Sequence, residues 1–284
     1  MLQLDGRHEL GTLVKWWYRL RLALPVASPI TVEIRDDGPA CRFVCTRLRE
    51  LKRAATMFLK EEGTIAWLRQ ELRPDDVFLD IGANIGIYTI FAARRLGDGG
   101  AVAAVEPHLV NATRLLQNVR ANELEDRVSV LTCALADASG FTDFNYRDWG
   151  AGTSNSQLGR CRDSNGQDYQ PAARELKAVT TVDALLAAGA MRWPNLVKID
   201  VDGLELPILA GMQALLTGER PPRLVQVEVE PQTRAAIEAR LAQWGYQRRS
   251  HHFSKGGKHR LAMGEAENMI PHNVIFAPAG AAPL

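Results

Sequence analysis

Apolar residues along this chain fall into short runs separated by longer amphipathic stretches. Runs at Val77–Asp80, Ala101–Val105, Val128–Ala134, Leu196–Asp200, Leu224–Val229 and Val274–Phe276 have the length of strands. Between them lie segments with helical spacing: Ala112, Leu115, Leu116 and Val119 after Glu106, and Ile237, Leu241 and Trp244 after Pro231. Apolar positions three and four residues apart line one face of a helix. Strands and helices in alternation predict an α/β fold, a parallel sheet covered on both faces. Loops leaving the carboxyl ends of such strands share one edge, where ligands bind.

Residues 1–72 read as an α+β extension added to a main domain at 73–284. Leu10 to Leu24 predicts a short basic helix with Trp16, Trp17 and Tyr18, ended by Pro25. Packing on the main domain is the first expectation for this helix. A membrane-surface or partner-binding role is the second, because aromatic and basic residues together suit an interface. Thr31–Arg35 and Cys41–Cys45 alternate around Asp36-Asp-Gly-Pro39, a hairpin by period and by turn residues. Thr64 to Leu72 reads as helix. Two segments break the regular alternation: 143–174, polar and rich in Gly, Ser and Asn, and 248–272, which carries His251, His252, Lys255, Lys258, His259 and Arg260. Long irregular connections in compact domains are usually functional. Both are candidate lid or substrate loops, the second emerging at the carboxyl edge if the final strand runs antiparallel.

Composition narrows the class. The chain has 284 residues, 46% of them hydrophobic, and a net charge of +1, so nothing global points to nucleic acid or an anionic membrane. The four cysteines, Cys41, Cys45, Cys133 and Cys161, include no C-x-x-C pair; Cys41 and Cys45 share one strand face and suit a core rather than a metal. There is no apolar run long enough to span a bilayer and no signal peptide. The expectation is a cytoplasmic enzyme acting on a small molecule or glycan.

The chemistry is concentrated in Val77-Phe-Leu-Asp-Ile-Gly-Ala-Asn-Ile-Gly86, which reads as strand, glycine turn, helix. Glycines admit backbone close to a ligand. A dinucleotide fingerprint would need a glycine where Asn84 stands, and Asp80 would repel a phosphate. S-adenosylmethionine, with an ammonium, a sulfonium and no phosphate, fits better than NAD. Asp80, Gly82, Ala83, Asn84 and Gly86 make the first cofactor loop, with Tyr88 behind it. Glu106, followed by Pro107, ends the second strand where an acid can accept both hydroxyls of a ribose. Ala134 and Asp137 follow the third strand, where an adenine is commonly enclosed; turn chemistry before Ser139-Gly140 accounts for Asp137 equally well. Asp200, at the end of the fourth strand, is the first candidate for base or acceptor-orienting residue, and it also belongs to the cofactor site. Glu228 ends the fifth strand and points to the same edge. A divalent ion on Asp200 and Glu228 is the second reading, since hard cations take oxygen ligands. His272, like His251, His252 and His259, could supply a base near neutral pH. Asp202 caps the next helix, with Glu205 reaching back or serving the site. Lys198 inside an apolar strand needs a carboxylate partner.

Asp80-Ile-Gly-Ala-Asn-Ile-Gly86, Glu106-Pro107, Lys198-Ile-Asp-Val-Asp-Gly-Leu-Glu205 with Gly211, and His272-Asn-Val-Ile-Phe276 together resemble the FkbM family of S-adenosylmethionine-dependent methyltransferases. The resemblance covers roughly positions 60 to 277, with Asp202 where the family usually has Glu. It implies a Rossmann-like class I methyltransferase fold, with a seven-stranded, mostly parallel sheet whose last strand is reversed. It also implies O-methylation of sugars or secondary-metabolite hydroxyls. A nucleotide-dependent oxidoreductase and a non-catalytic interaction module are the competing readings.

Overall fold

The computed structural model describes residues 2–4, 11–23, 29–60, 62–159, 161 and 167–280. The extension runs β1 (Leu2–Leu4), α1 (Thr12–Ala23), β2 (Ile30–Ile34), β3 (Cys41–Cys45), α2 (Leu48–Ala55), α3 (Met57–Lys60) and α4 (Glu62–Glu71). The expected stop of α1 at Pro25 lies outside the described residues, as does the side chain of Tyr18. Where α1 is described, Trp16, Trp17 and Leu20 are exposed. The β2–β3 hairpin forms as predicted, with Ile34 opposite Cys41 and Ile30 opposite Cys45. Both cysteines are buried and carry free thiols.

The main sheet is built from β4 (Val77–Ile81), α5 (Ile87–Ala93), β5 (Ala101–Val105), α6 (Leu109–Ala121) and β6 (Val128–Leu131). The next four strands, β7 (Ala134–Leu135), β8 (Gly140–Tyr146), β9 (Gln157–Leu158) and β10 (Ala173–Thr180), form a separate small sheet in the order β7-β10-β8-β9. The chain then returns to the main sheet through α7 (Val182–Ala187), β11 (Leu196–Ile199), α8 (Glu205–Ala210), α9 (Gln213–Thr217), β12 (Leu224–Val229), α10 (Arg234–Gln243), β13 (Tyr246–His252), α11 (Lys255–Ala262) and β14 (His272–Pro278). Its seven strands lie in the order β13-β14-β12-β11-β4-β5-β6. Only β14, the last, runs against its neighbours β12 and β13, the reversed strand that the resemblance implies.

Strands buried on both faces read as unbroken apolar runs, and all five residues of β4 are buried. One face carries Phe78, Leu196, Leu224 and Ile275 against α5 and the extension's Phe43, Leu51 and Trp67. The other carries Leu79, Val197, Val225 and Phe276 against α8 and α10. Helix α6 departs from expectation at Leu116, which is 52% exposed. Its buried stripe is Ala112, Leu115 and Val119 together with the polar Asn111, Arg114 and Asn118.

Three expected boundaries shift. The third strand stops at Leu131 rather than Ala134; Ala134 pairs with Val179 in the small sheet. The 143–174 segment begins and ends as strand, with Tyr146 opposite Ala173; residues 160 and 162–166 within it lie outside the described residues. The 248–272 segment is edge strand and helix, and its 253–271 connection leaves the carboxyl edge, as an antiparallel final strand requires.

Candidate active site

At the carboxyl edge lies a cavity of about 310 Å³, within the range of small-molecule sites. Gly82 turns the chain at its floor with φ +80°, and a Cβ there would lie 2.0 Å from the carbonyl oxygen of Asp200. Only glycine permits β4 and β11 to pass so closely. Asn84, also in the left-handed region at φ +53°, directs its backbone N–H to Glu106 Oε2 at 2.7 Å. The His108 backbone N–H donates to Glu106 Oε1 at 2.8 Å. Glu106 thus ties the ends of two strands together at the cavity wall, with the Asn111 side chain as a third donor. Burial pushes its carboxyl up to about 7.

Of the residues picked from sequence, Gly82, Ala83, Asn84, Tyr88, Glu106, Pro107, Asp200 and Glu228 line this cavity. Asp80 does not. It lies beneath the floor with no exposure, accepts the Thr89 hydroxyl at 2.6 Å, and has Lys198 Nζ 3.7 Å away. The cation beside Asp80 is Lys198, and burial raises the Asp80 carboxyl against the pull of that ammonium. Gly86 caps α5, where an added Cβ would meet Leu115. Ala134 is buried in the small sheet and Asp137 is exposed in the turn after it; neither reaches the cavity, because the third strand ends early. His272 sits opposite Val229, on the face away from Glu228, with its ring 4.9 Å from Phe253. That register removes it from the cavity. His252 bonds Thr64 and burial drops it to about 4; His251 pairs with Glu267.

Asp200, Glu228 and Lys198 form one charged cluster at the carboxyl edge. The register sets Lys198 between Asp80 and Gln226 on one face of the sheet, and two residues on, Asp200 rises from the same face at the edge. Lys198 Nζ is 3.1 Å from Asp200 Oδ2, the carboxylate partner its burial demands, and 4.9 Å from the centre of the Tyr88 ring. Burial pushes Asp200 up, but the Lys198 ammonium and a hydrogen bond from Glu228 outweigh it and hold Asp200 below the usual carboxylate range. The charge of Asp200, then burial, lifts Glu228 well above that range. Two carboxyls this close cannot both ionise. Between the two, the charge is favoured on Asp200 and the proton on Glu228.

Asp202 is not the helix cap that the capping-box reading expects; Leu204 occupies that position. The Asp202 carboxylate instead accepts the Asn155 backbone N–H at 2.7 Å, and its carbonyl accepts Gln157 Nε2 at 2.9 Å. Glu205 does reach back, accepting the N–H groups of Val201 and Gly203 at 3.2 Å each. The segment after β8 is thereby laced over the cavity. Asn84 Nδ2 donates to the Thr153 carbonyl at 2.7 Å, the Gly152 N–H to Asn111 Oδ1 at 2.8 Å, and Arg53 to Gly152 and Ser154 at 2.8 and 2.7 Å. His108, Asn111, Phe144 and Thr153 line the cavity and are absent from the sequence reading. His108 was visible only as the cap after Glu106-Pro107: its Nδ1 accepts the Asn111 N–H at 3.3 Å.

The cavity holds four acids, Glu106, Asp200, Asp202 and Glu228, against Arg53 and Lys60. The Asp200 carboxylate, the close-approach glycine and the Glu106 carboxyl at the cavity wall fit a ligand with a cationic centre and a ribose. Among the described residues no group of three His, Cys, Asp or Glu side chains is arranged to hold a metal.

The sequence profile of the Methyltransferase FkbM domain matches residues 80–248, more than half of the chain. The chain belongs to the FkbM methyltransferase family. Hexuronic acid methyltransferase AglP of Haloferax volcanii is 29% identical over 208 residues, 71% of this chain and 77% of AglP. The 31-O-demethyl-FK506 methyltransferase FkbM of Streptomyces tacrolimicus is 29% identical over 165 residues, 50% of this chain and 62% of that protein. Among solved structures, methyltransferase FkbM from Methylobacillus flagellatus superposes with a TM-score of 0.47 at 15% identity, over 80% of this chain and 52% of that one. The chain therefore spans about half the length of that solved relative. The FkbM profile begins at Asp80 and ends at Arg248, so it takes in the cavity residues from Gly82 to Glu228 and leaves outside the extension, whose Arg53, Met57 and Lys60 also line the cavity.

Proposed function

We propose that this FkbM-family chain methylates a hydroxyl of a sugar, glycan or secondary metabolite, using S-adenosylmethionine. The Asp200–Glu228 pair at the cavity edge carries the reading. When bound, S-adenosylmethionine supplies a methyl carbon activated by positive sulfur. Glu106 would hold its ribose hydroxyls, the backbone from Gly82 to Asn84 would take the methionine side, and the Asp200 carboxylate would complement its cationic groups.

Asp200 then accepts the hydrogen bond of the acceptor hydroxyl and aims its oxygen, the alignment that displacement chemistry most needs. Transfer would exchange the methyl C–S bond for a C–O bond, with neutral S-adenosylhomocysteine as the leaving group, and the hydroxyl proton, made strongly acidic, would pass to Asp200 as general base. A low-lying carboxylate suffices for so acidic a proton, and Lys198 keeps Asp200 ionised until that moment. Protonated Glu228 donates to Asp200 and fixes its orientation. The 147–159 segment excludes water.

The two relatives act, by name, on a hexuronic acid and on 31-O-demethyl-FK506, which supports a sugar or secondary-metabolite acceptor. The test is calorimetric titration with S-adenosylhomocysteine and with NAD, each with and without EDTA. It is followed by transfer of labelled methyl from S-adenosylmethionine to a panel of sugars. Binding of S-adenosylhomocysteine alone at micromolar strength and label on sugar oxygen are the expected results; EDTA sensitivity would bring in a divalent ion. Binding of NAD instead overturns the reading.

A further inference from the structure

A second cavity of about 950 Å³ adjoins the first and shares Arg53, Lys60, Thr153, Ser154 and Asn155 with it. Its charge is the reverse of its neighbour's. Arg49, Lys52, Arg53 and Lys60 follow one another at helical spacing along α2 and α3, and Arg147 comes from the segment after β8. Among the described residues that line it, one acid, Asp148, faces these five cations, and Arg49 engages it at 2.8 Å. In a chain of net charge +1 such a cluster is local, and its self-repulsion is relieved when an anion binds. Arg53 stands at the junction, its guanidinium held by Gly152 and Ser154 and so pre-oriented for a carboxylate or phosphate. Trp149, 53% exposed on this wall, is tilted against Tyr146 at 4.8 Å. It offers a rigid amphipathic face to a sugar ring.

We propose that this basic vestibule is the acceptor subsite, and that the acceptor is a saccharide carrying an oxyanion, a carboxylate or a phosphate, next to the hydroxyl that is methylated. The proposal rests on the methyltransferase reading above. The anion is held among Arg53, Lys52 and Arg147 and the sugar lies on Trp149. The hydroxyl then reaches through the shared opening toward Asp200. Charge thereby sorts the two ligands: the cationic one to the acidic cavity, the anionic one to the basic cavity.

The test titrates protein saturated with S-adenosylhomocysteine with methyl glucuronoside, glucose 6-phosphate, methyl glucoside and an oligoadenylate, by NMR at low and at high salt. At least one sugar anion should bind about tenfold tighter than the neutral glucoside, and the stronger of the two identifies carboxylate or phosphate. High salt should erase that preference. The Lys52→Gln/Arg147→Gln double variant should lose the preference while keeping wild-type affinity for S-adenosylhomocysteine, which shows it folded. Trp149→Ala should weaken charged and neutral sugars alike. No preference for the anionic sugars, or no binding of either, overturns the proposal, and so does tighter binding of the oligoadenylate. Failure to bind S-adenosylhomocysteine removes the methyltransferase reading and this proposal with it, whereas its binding without an anion preference sinks this proposal alone.

Discussion

Asp200 and Glu228 carry one proton between them, so the same conservative change at each has a different consequence. Asp200→Asn removes the anion that takes the proton, and kcat should fall by about 10²- to 10⁴-fold with S-adenosylhomocysteine affinity retained. Glu228→Gln keeps a neutral donor toward Asp200, and kcat should stay within about tenfold of wild type. Equal losses in the two variants, measured with one acceptor, would show that Glu228 is not the protonated partner. Glu205 gives a second residue-scale prediction, in stability. Burial raises it from its ordinary 4.5 to about 7, so the folded protein keeps a proton that the unfolded chain has lost. The resulting stability is fully present below about pH 4.5 and is lost as pH rises to about 7. Glu205→Gln accepts the same two backbone N–H groups without titrating. It should match wild type near pH 5 and exceed it above pH 7, by on the order of 3 kcal/mol. Denaturant titrations across that range check the sign; a constant offset would show that Glu205 does not titrate there.

Among the elements, the segment after β8 depends most on particular contacts, because Asp202 fastens it at Asn155 and Asn84 at Thr153. Asp202→Ala leaves the Asn155 N–H without its acceptor. Amide exchange at 153–157 should quicken, and S-adenosylhomocysteine affinity should fall about tenfold; unchanged exchange would show that the segment is held elsewhere. This segment also shows where the sequence stops being legible. The strands of the main sheet are apolar because both faces are covered, so their positions could be read directly. Strand β10 inverts the usual pattern, with Lys177 buried against Glu175 at 2.7 Å and Leu176 exposed, and the strands read from the sequence do not include it. Strand β13 is an edge, and its Gln247, Arg248 and Arg249 meet solvent or charge; polar edges protect a sheet from pairing with other chains, and they hide it from pattern reading. His272 was misplaced for a third reason. Its face is set by pairing with Val229, a register that a lone apolar triplet at 274–276 does not reveal. By contrast, Gly82, Glu106, Asp200 and Glu228 were legible because they end strands, and strand ends converge on one edge.

On the scale of the whole molecule, the extension and the methyltransferase sheet are joined by polar side chains as well as by a common core. The outer edge of β3 would leave backbone groups unpaired, and α6 supplies their partners from residues at four-residue spacing. Arg114 Nη1 donates to the Val44 carbonyl at 2.9 Å, Asn118 Oδ1 accepts the Val44 N–H at 2.7 Å, and Asn122 both accepts from and donates to Arg42. Asn118 also reaches the other way, its Nδ2 donating to the Ile85 carbonyl at 2.7 Å, inside the cofactor loop. One buried amide therefore connects the hairpin to the turn that lines the cavity. Asn118→Leu orphans a buried N–H and a buried carbonyl at once, and should cost about 2–5 kcal/mol. The same core holds Phe43 and Leu51 with Phe78 and Phe91, so the loss should appear as one cooperative transition at a lower midpoint, the same by fluorescence and by circular dichroism. Affinity for S-adenosylhomocysteine should fall with it, since Ile85 follows Asn84 in the loop that meets Glu106. Two separate transitions, with the main sheet melting at its wild-type temperature, would mean that the hairpin is an independent appendage and that the cavity does not depend on it.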